Sequence, residues 1–258
     1  MEPEASILER FCIDNTHDTF DMDSLTTSHP ISAKVTHPNQ INELFDRISY
    51  GKGASIIRMM FHFLGEENFI QGLTSYLNKH KYGNAEQNDL WDSLTNQAHK
   101  VRSLDNDISV KTVMDTWTLQ MGYPVINVNR NYEDNSMTIT QERFLSLKNQ
   151  PKKSGETEDT HDYKWWVPIS FDFEGGKFNQ TRNSHWLKPD QDKLTIQLPE
   201  GNTKILRFLM NKIPGNLKKE PLIALFAEFN ALCILIYRYK EQSSNCQCTT
   251  NWLLQSKL

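Results

Sequence analysis

The stretch DRISYGKGAS, residues 46–55, sets one tyrosine beside two glycines inside a segment whose apolar residues follow helical spacing. Upstream, Ile41, Leu44, Phe45 and Ile48 share one side of a helix, while Gly53, Ala54, Ile57, Met60, Phe61 and Leu64 fall nearly opposite, together with Tyr50. The apolar face thus changes sides at the tyrosine. A helix of this kind, running from about Asn39 to Gly65, is expected to be enclosed by protein along its length. Each interior glycine costs roughly 1 kcal/mol relative to alanine, so the pair calls for a packing or close-approach reason. Two readings of Tyr50 stay open here. It is a core tyrosine with a satisfied hydroxyl, or small neighbours leave room for its hydroxyl to face a cleft.

Outward from this helix the pattern continues. A second helix is expected over about Glu66 to Lys81, a third over about Glu86 to Val101, and a fourth over about Ser109 to Met121, stopped by Gly122 and Pro124. After Pro124 the period drops to two. Val125–Asn129 and Met137–Gln141 read as a hairpin turning through 131–136, with Phe144–Leu147 as a continuation after a bend. Residues 148–163 are polar and turn-rich, an exposed loop. Lys164–Phe173 returns as a strand in which Pro168 marks an edge or bulge, and Leu194–Leu198 is the last strand that the pattern gives.

The fold class is therefore α+β, helices first and an antiparallel sheet layer after, over 1–122 and 123–198, with a divergent tail at 199–258. Within the tail, Leu222–Tyr239 is almost continuously apolar and approaches the length of a membrane span. Glu228 and Asn230 near its centre favour a buried or interface helix over 222–239 instead.

Composition narrows function. The chain has 258 residues, 28 Lys+Arg against 32 Asp+Glu and a net charge of −4, with no basic stripe, so nucleic acid is not an expected partner. With 13 Phe, 6 Trp and 8 Tyr it has the means to build a core. The first residues, MEPEASILERFCIDN, lack the pattern of a secretory signal, so no export address is expected. The four cysteines, Cys12, Cys233, Cys246 and Cys248, support neither a disulfide framework nor a structural zinc site. The sequon Asn179-Gln180-Thr181 matters only for a secreted chain.

Chemically suggestive residues are few. No His-Glu-x-x-His pair, serine elbow, phosphate loop or dinucleotide fingerprint occurs. His17-Asp18-x-x-Asp21-x-Asp23 resembles a ligand run but lacks the glycine and closing glutamate of a calcium loop, so ordinary solvated side chains are the expectation. His29 and His37 each precede a proline and are expected to be structural. Cys12 has no evident activating base.

Four ordered blocks carry a resemblance: Asp23-Ser24-Leu25-x-x-Ser28-His29-Pro30-Ile31; Phe45-Asp46-x-Ile48-Ser49-Tyr50-x-Lys52-Gly53-Ala54; Asp89-Leu90-Trp91; and Met114-x-x-Trp117-Thr118-x-Gln120-x-Gly122-Tyr123-Pro124-Val125. Together they resemble the aminopeptidase N family of zinc exopeptidases, and Trp166-Val167-Pro168-Ile169 and His185-Trp186-Leu187 extend the likeness to about residue 198. The resemblance implies the helical C-terminal half of a thermolysin-like catalytic domain followed by a small β-sandwich. It further implies a zinc-activated water attacking the first peptide bond of a peptide substrate. By its place in the second block, Tyr50 corresponds to the family tyrosine that stabilises the oxyanion of the tetrahedral intermediate.

There are departures as well. The family's zinc helix, third zinc ligand and Gly-Ala-Met-Glu-Asn stretch precede this region, so no residue here is assigned to zinc. The expectation is a fragment or truncated form, inactive alone, or a non-catalytic interaction module that associates with itself or another protein through its orphaned helical surface. Family members of this type are mostly plasma-membrane ectoenzymes, which leaves the compartment of this chain open. At the end of the sheet the chain runs Gly201-Asn202-Thr203-Lys204-Ile205-Leu206-Arg207 in place of the family strand, so the sandwich is expected to be incomplete, with an edge that the apolar tail covers or that promotes aggregation.

Overall fold

The computed structural model describes residues 11, 16, 18–146, 161–173, 185–198, 206–208 and 236–241. Helix α1 (Asp18–Asp23) opens with two acidic residues in its first turn, where they complement the helix dipole. A 3₁₀ helix follows at Pro38–Leu44, and His37 caps it: its Nδ1 accepts from the Asn39 amide at 3.2 Å while Gln40 Oε1 accepts from the His37 amide at 3.1 Å.

The long helix expected from Asn39 to Gly65 is three pieces. After the 3₁₀ helix the backbone breaks at Phe45 (φ −84°, ψ 62°), resumes as a π-helical turn at Ile48–Lys52, and only then becomes the regular helix α2 (Gly53–Leu64). Nor is the segment enclosed throughout. Phe45 is 67% and Tyr50 64% exposed, and Ile41 and Ile57 are about half so. The side of α2 that carries Ile56, Met59, Met60, Phe63 and Leu64 is the one that packs inward.

Helices α3 (Glu66–Lys79), α4 (Gln87–Lys100) and α5 (Val110–Thr118) occupy the expected places. The starts of α4 and α5 are fixed by side chains that accept local amides: Asp89 Oδ2 accepts from the Glu86 amide at 2.8 Å, and Ser109 Oγ from the Thr112 amide at 2.9 Å. Gly72 lets α3 lie against α4, since a Cβ there would stand 2.8 Å from Leu94 Cδ2 and 3.2 Å from its Cα. The last helix ends at Thr118, three residues before the expected Met121.

Strands β1 (Pro124–Asn131) and β2 (Ser136–Arg143) form the expected hairpin, in the register Val125↔Glu142 to Asn131↔Ser136. Asn135, at φ 54°, closes its turn. Strands β3 (Val167–Ile169) and β5 (His185–Leu187) pair antiparallel, with Pro168 opposite Trp186, and β6 (Leu194–Gln197) adds to β2. The stretch expected as one strand from Lys164 to Phe173 is divided into β3 and β4 (Phe171–Phe173). Phe144–Ser146 continues no strand.

Two further strands lie beyond the last one expected. Leu206–Phe208 forms β7 against β4, and Ile236–Glu241 forms β8, parallel to β1, giving a four-stranded sheet in the order β6-β2-β1-β8. The expected helix at 222–239 is therefore wrong for 236–239, and 222–235 lies outside the described residues. Ile236, Tyr237 and Tyr239 are strong strand formers, and the open edge of β1 offers the backbone partners.

The core is continuous across helices and sheet. Trp91, Val113, Met114 and Trp117 adjoin Ile126, Met137, Ile139, Trp165 and Leu187 in one buried cluster. Residues 164–166 stitch the layers: Trp117 Nε1 donates to the Trp166 carbonyl (2.8 Å), Gln120 Nε2 to that of Lys164 (2.7 Å), and Gln141 pairs with both backbone groups of Trp165 (2.8 and 2.9 Å). These bonds brace the corner between α5 and β1, where the Gly122 carbonyl accepts from Lys52 Nζ at 2.8 Å.

Candidate active site

Tyr50 stands on the π-helical turn Ile48–Lys52, its ring outward and its centroid 6.3 Å from that of Phe45. π-Turns insert an extra residue into a helix and recur at functional sites. A Cβ placed on Gly53 would meet nothing within 4 Å, so this glycine borders open space.

The turn is held at both ends. At its start, Asp46 Oδ1 accepts from the Ser49 amide at 2.9 Å, the Asp46 carbonyl accepts from the Tyr50 amide at 3.1 Å, and Asp46 Oδ2 lies 2.8 Å from His29 Nε2. At its end, Lys52 is 2% exposed. Its Nζ lies 3.0 Å from Asp23 Oδ2 and donates to the carbonyls of Gly122 (2.8 Å) and Gln120 (3.3 Å). The other oxygen of Asp23 accepts from Ser28 Oγ (2.5 Å) and from the Gly122 amide (2.8 Å). Behind the turn, Ser55 Oγ donates to the Gly51 carbonyl at 2.8 Å.

The electrostatics follow this wiring. Burial draws the Lys52 ammonium below the usual lysine range, and Asp23 opposes that shift. For His29, burial works against the charge, yet the Pro30 carbonyl and the carboxylates of Asp46 and Asp23 outweigh it and raise the imidazole above its ordinary value. For Asp46, burial works upward, and the Ser49 amide and His29 prevail to hold its carboxyl low.

The sequence-derived candidates are dispersed. Asp23 of the ligand-like run is buried against Lys52, Asp18 pairs with Arg47 at the surface, Asp21 is exposed, and His17 and Cys12 lie outside the described residues. His37 is the cap of the 3₁₀ helix. His29, by contrast, joins the mount of Tyr50. The Asp23–Lys52 pair went unread although a signal existed: Ile48, Lys52, Ser55, Ile56 and Met59 share one helical face, and a lysine on an inward face needs an acidic partner.

Residues 1–117 match the peptidase family M1 domain. The chain is of the peptidase M1, aminopeptidase N-like family. Among relatives of this M1 chain, Alanine/arginine aminopeptidase of Saccharomyces cerevisiae is 42% identical over 163 residues, 63% of this chain and 17% of the relative. Thyrotropin-releasing hormone-degrading ectoenzyme of Mus musculus is 39% identical over 163 residues, 63% of this chain and 15% of the relative. Aminopeptidase N of Mus musculus is 34% identical over 229 residues, 84% of this chain and 22% of the relative. The M1 chain thus spans less than a quarter of the length of each.

The M1 family is zinc-dependent in general. Among the described residues, no group of three or more His, Cys, Asp or Glu side chains is arranged to hold a metal ion. The described residues do not fit a zinc site. No helix among them is long and apolar enough to cross a membrane.

Proposed function

We propose that this chain supplies the transition-state side of an aminopeptidase site, with Tyr50 as the oxyanion donor in hydrolysis of the first peptide bond of a peptide substrate. Attack on that carbonyl moves negative charge onto its oxygen. A phenol fixed beforehand and aimed at that oxygen donates a hydrogen bond that strengthens as the charge develops. The observation that carries this reading is the combination at Tyr50: an exposed ring on a π-turn whose two ends are tied to Asp46–His29 and to Lys52–Asp23. A side chain meant only to fill a core has no use for such a mount.

In this reading 1–122 is the helical part of the peptidase domain and 123–198 the sandwich, and zinc is held by residues other than those described. The 258-residue chain assayed alone with an amino-acid p-nitroanilide and added zinc is expected to release no nitroaniline. Zinc-dependent release by the pure chain, absent in Tyr50→Phe, overturns that expectation while sparing the role of the tyrosine.

A second reading is a non-catalytic interaction module, favoured by the apolar groups Ile41, Phe45 and Ile57 left exposed on the tyrosine-bearing segment. Light scattering on the eluting chain decides it: self-association that Phe45→Ser abolishes supports the module, and a stable monomer that captures no M1 partner counts against it.

A further inference from the structure

His29 is in contact with two groups that only accept. Its Nδ1 lies 2.9 Å from the Pro30 carbonyl oxygen, and its Nε2 lies 2.8 Å from Asp46 Oδ2. A carbonyl has no proton to give, and neither does an ionised carboxylate, so both ring nitrogens must carry hydrogens. The geometry describes an imidazolium. Asp46 is held in its ionised form, since the Ser49 amide and His29 outweigh burial and keep its carboxyl below its ordinary value.

We infer that His29 is a positioning residue for Tyr50: as an imidazolium it clamps Asp46, and Asp46 in turn fixes the backbone of the turn from which the tyrosine projects. The inference deepens the proposed role of Tyr50 and rests on that reading for its functional meaning. It does not rest on it for the coupling itself. His29 comes from the Ser28-His29-Pro30 segment, and no hydrogen bond of its ring reaches Tyr50 directly; its effect passes through the two Asp46 contacts, Oδ1 to the Ser49 amide and the carbonyl to the Tyr50 amide. When the imidazolium loses one proton, one ring nitrogen becomes an acceptor facing an acceptor. Either the Pro30 contact or the Asp46 contact must then break.

The charges around the clamp favour the protonated form. Asp46 faces His29 from the start of the turn and Asp23 from the end of α1, where Lys52 neutralises it in part. Arg47 beside Asp46 is engaged at the surface by Asp18. Burial opposes the charge, and the raised value of His29 shows that the acceptors win.

The test is nuclear magnetic resonance on the full 258-residue chain labelled with ¹³C-tyrosine and ¹⁵N-histidine, the Tyr50 ring signal being assigned by its loss in Tyr50→Phe. The Tyr50 signal is expected to move with the same midpoint as His29, above the ordinary 6.5. In His29→Gln that movement disappears while other histidines titrate unchanged, and in Asp46→Asn the His29 midpoint falls. A Tyr50 signal that stays fixed through the His29 titration, or that still moves in His29→Gln, overturns the inference. Should His29→Gln fail to fold, the Asp46→Asn midpoint and the wild-type co-titration decide it. Loss of the catalytic reading is seen separately, as an unchanged rate in Tyr50→Phe when residues 18–146 are carried by an active M1 aminopeptidase; coupling without a rate effect there leaves the clamp standing, and a rate effect without coupling removes the clamp alone.

Discussion

Lys52 Nζ and Asp23 Oδ2 are 3.0 Å apart, 29 positions apart in sequence, and both side chains are 2% exposed. The pair ties the π-turn to the end of α1 and, through Gly122, to the corner between the last helix and the sheet. Truncating one member strands a buried charge, which typically costs about 3–5 kcal/mol. Lys52→Met and Asp23→Asn should each lower the urea midpoint accordingly, and the double variant should lose less than the sum of the two. Additive losses would show that the two residues act apart.

The glycines separate by their surroundings. Gly53 is in regular helical conformation with nothing near a virtual Cβ, so Gly53→Ala should stabilise the chain by roughly 0.5–1 kcal/mol. Gly72→Ala drives a methyl into Leu94, including its backbone, and should destabilise by about 1–3 kcal/mol. Thermal melts of the two variants, shifting in opposite directions, check this.

Stability should depend on pH through His29 and Asp46. The folded value of His29 is raised, so its contribution is complete below the ordinary 6.5 and is lost as pH rises through the folded value. The folded value of Asp46 is lowered, so its contribution is complete above the ordinary 3.8 and is lost as pH falls through the folded value. The pair therefore stabilises most between about pH 4 and 6.5. Denaturant midpoints at about pH 6 and about pH 9 should differ by more in the wild-type chain than in His29→Gln.

Much of the fold was legible because its signals are local. Ser109 and Asp89 help start helices by accepting from amides three residues away, and alternation from Val125 to Gln141 needs only the neighbouring strand. The break at Phe45–Arg47 was not legible. The apolar period runs straight across it, and what diverts the backbone is Asp46, bound to an imidazole 17 residues earlier in the chain. Exposure of Phe45 and Tyr50 was also hidden, since an apolar stripe does not say whether anything covers it. Strand β8 was missed because a long apolar run reads equally as helix or strand, and the open edge of β1 decides between them. Tyr50 itself was singled out first by its odd glycine neighbours and then by the block around it; its two anchors emerged only from the tertiary structure.

The central claim is that Tyr50 donates to the oxyanion, and the most direct measurement is hydrolysis by an M1 enzyme that carries this segment. Residues 18–146 spliced in place of the matching part of mouse Aminopeptidase N, with and without Tyr50→Phe, would be compared in kcat on an amino-acid p-nitroanilide. Loss of an oxyanion donor predicts a fall in kcat of about 10²–10³-fold, with the fold and KM little changed. An unchanged kcat in Tyr50→Phe would contradict the account.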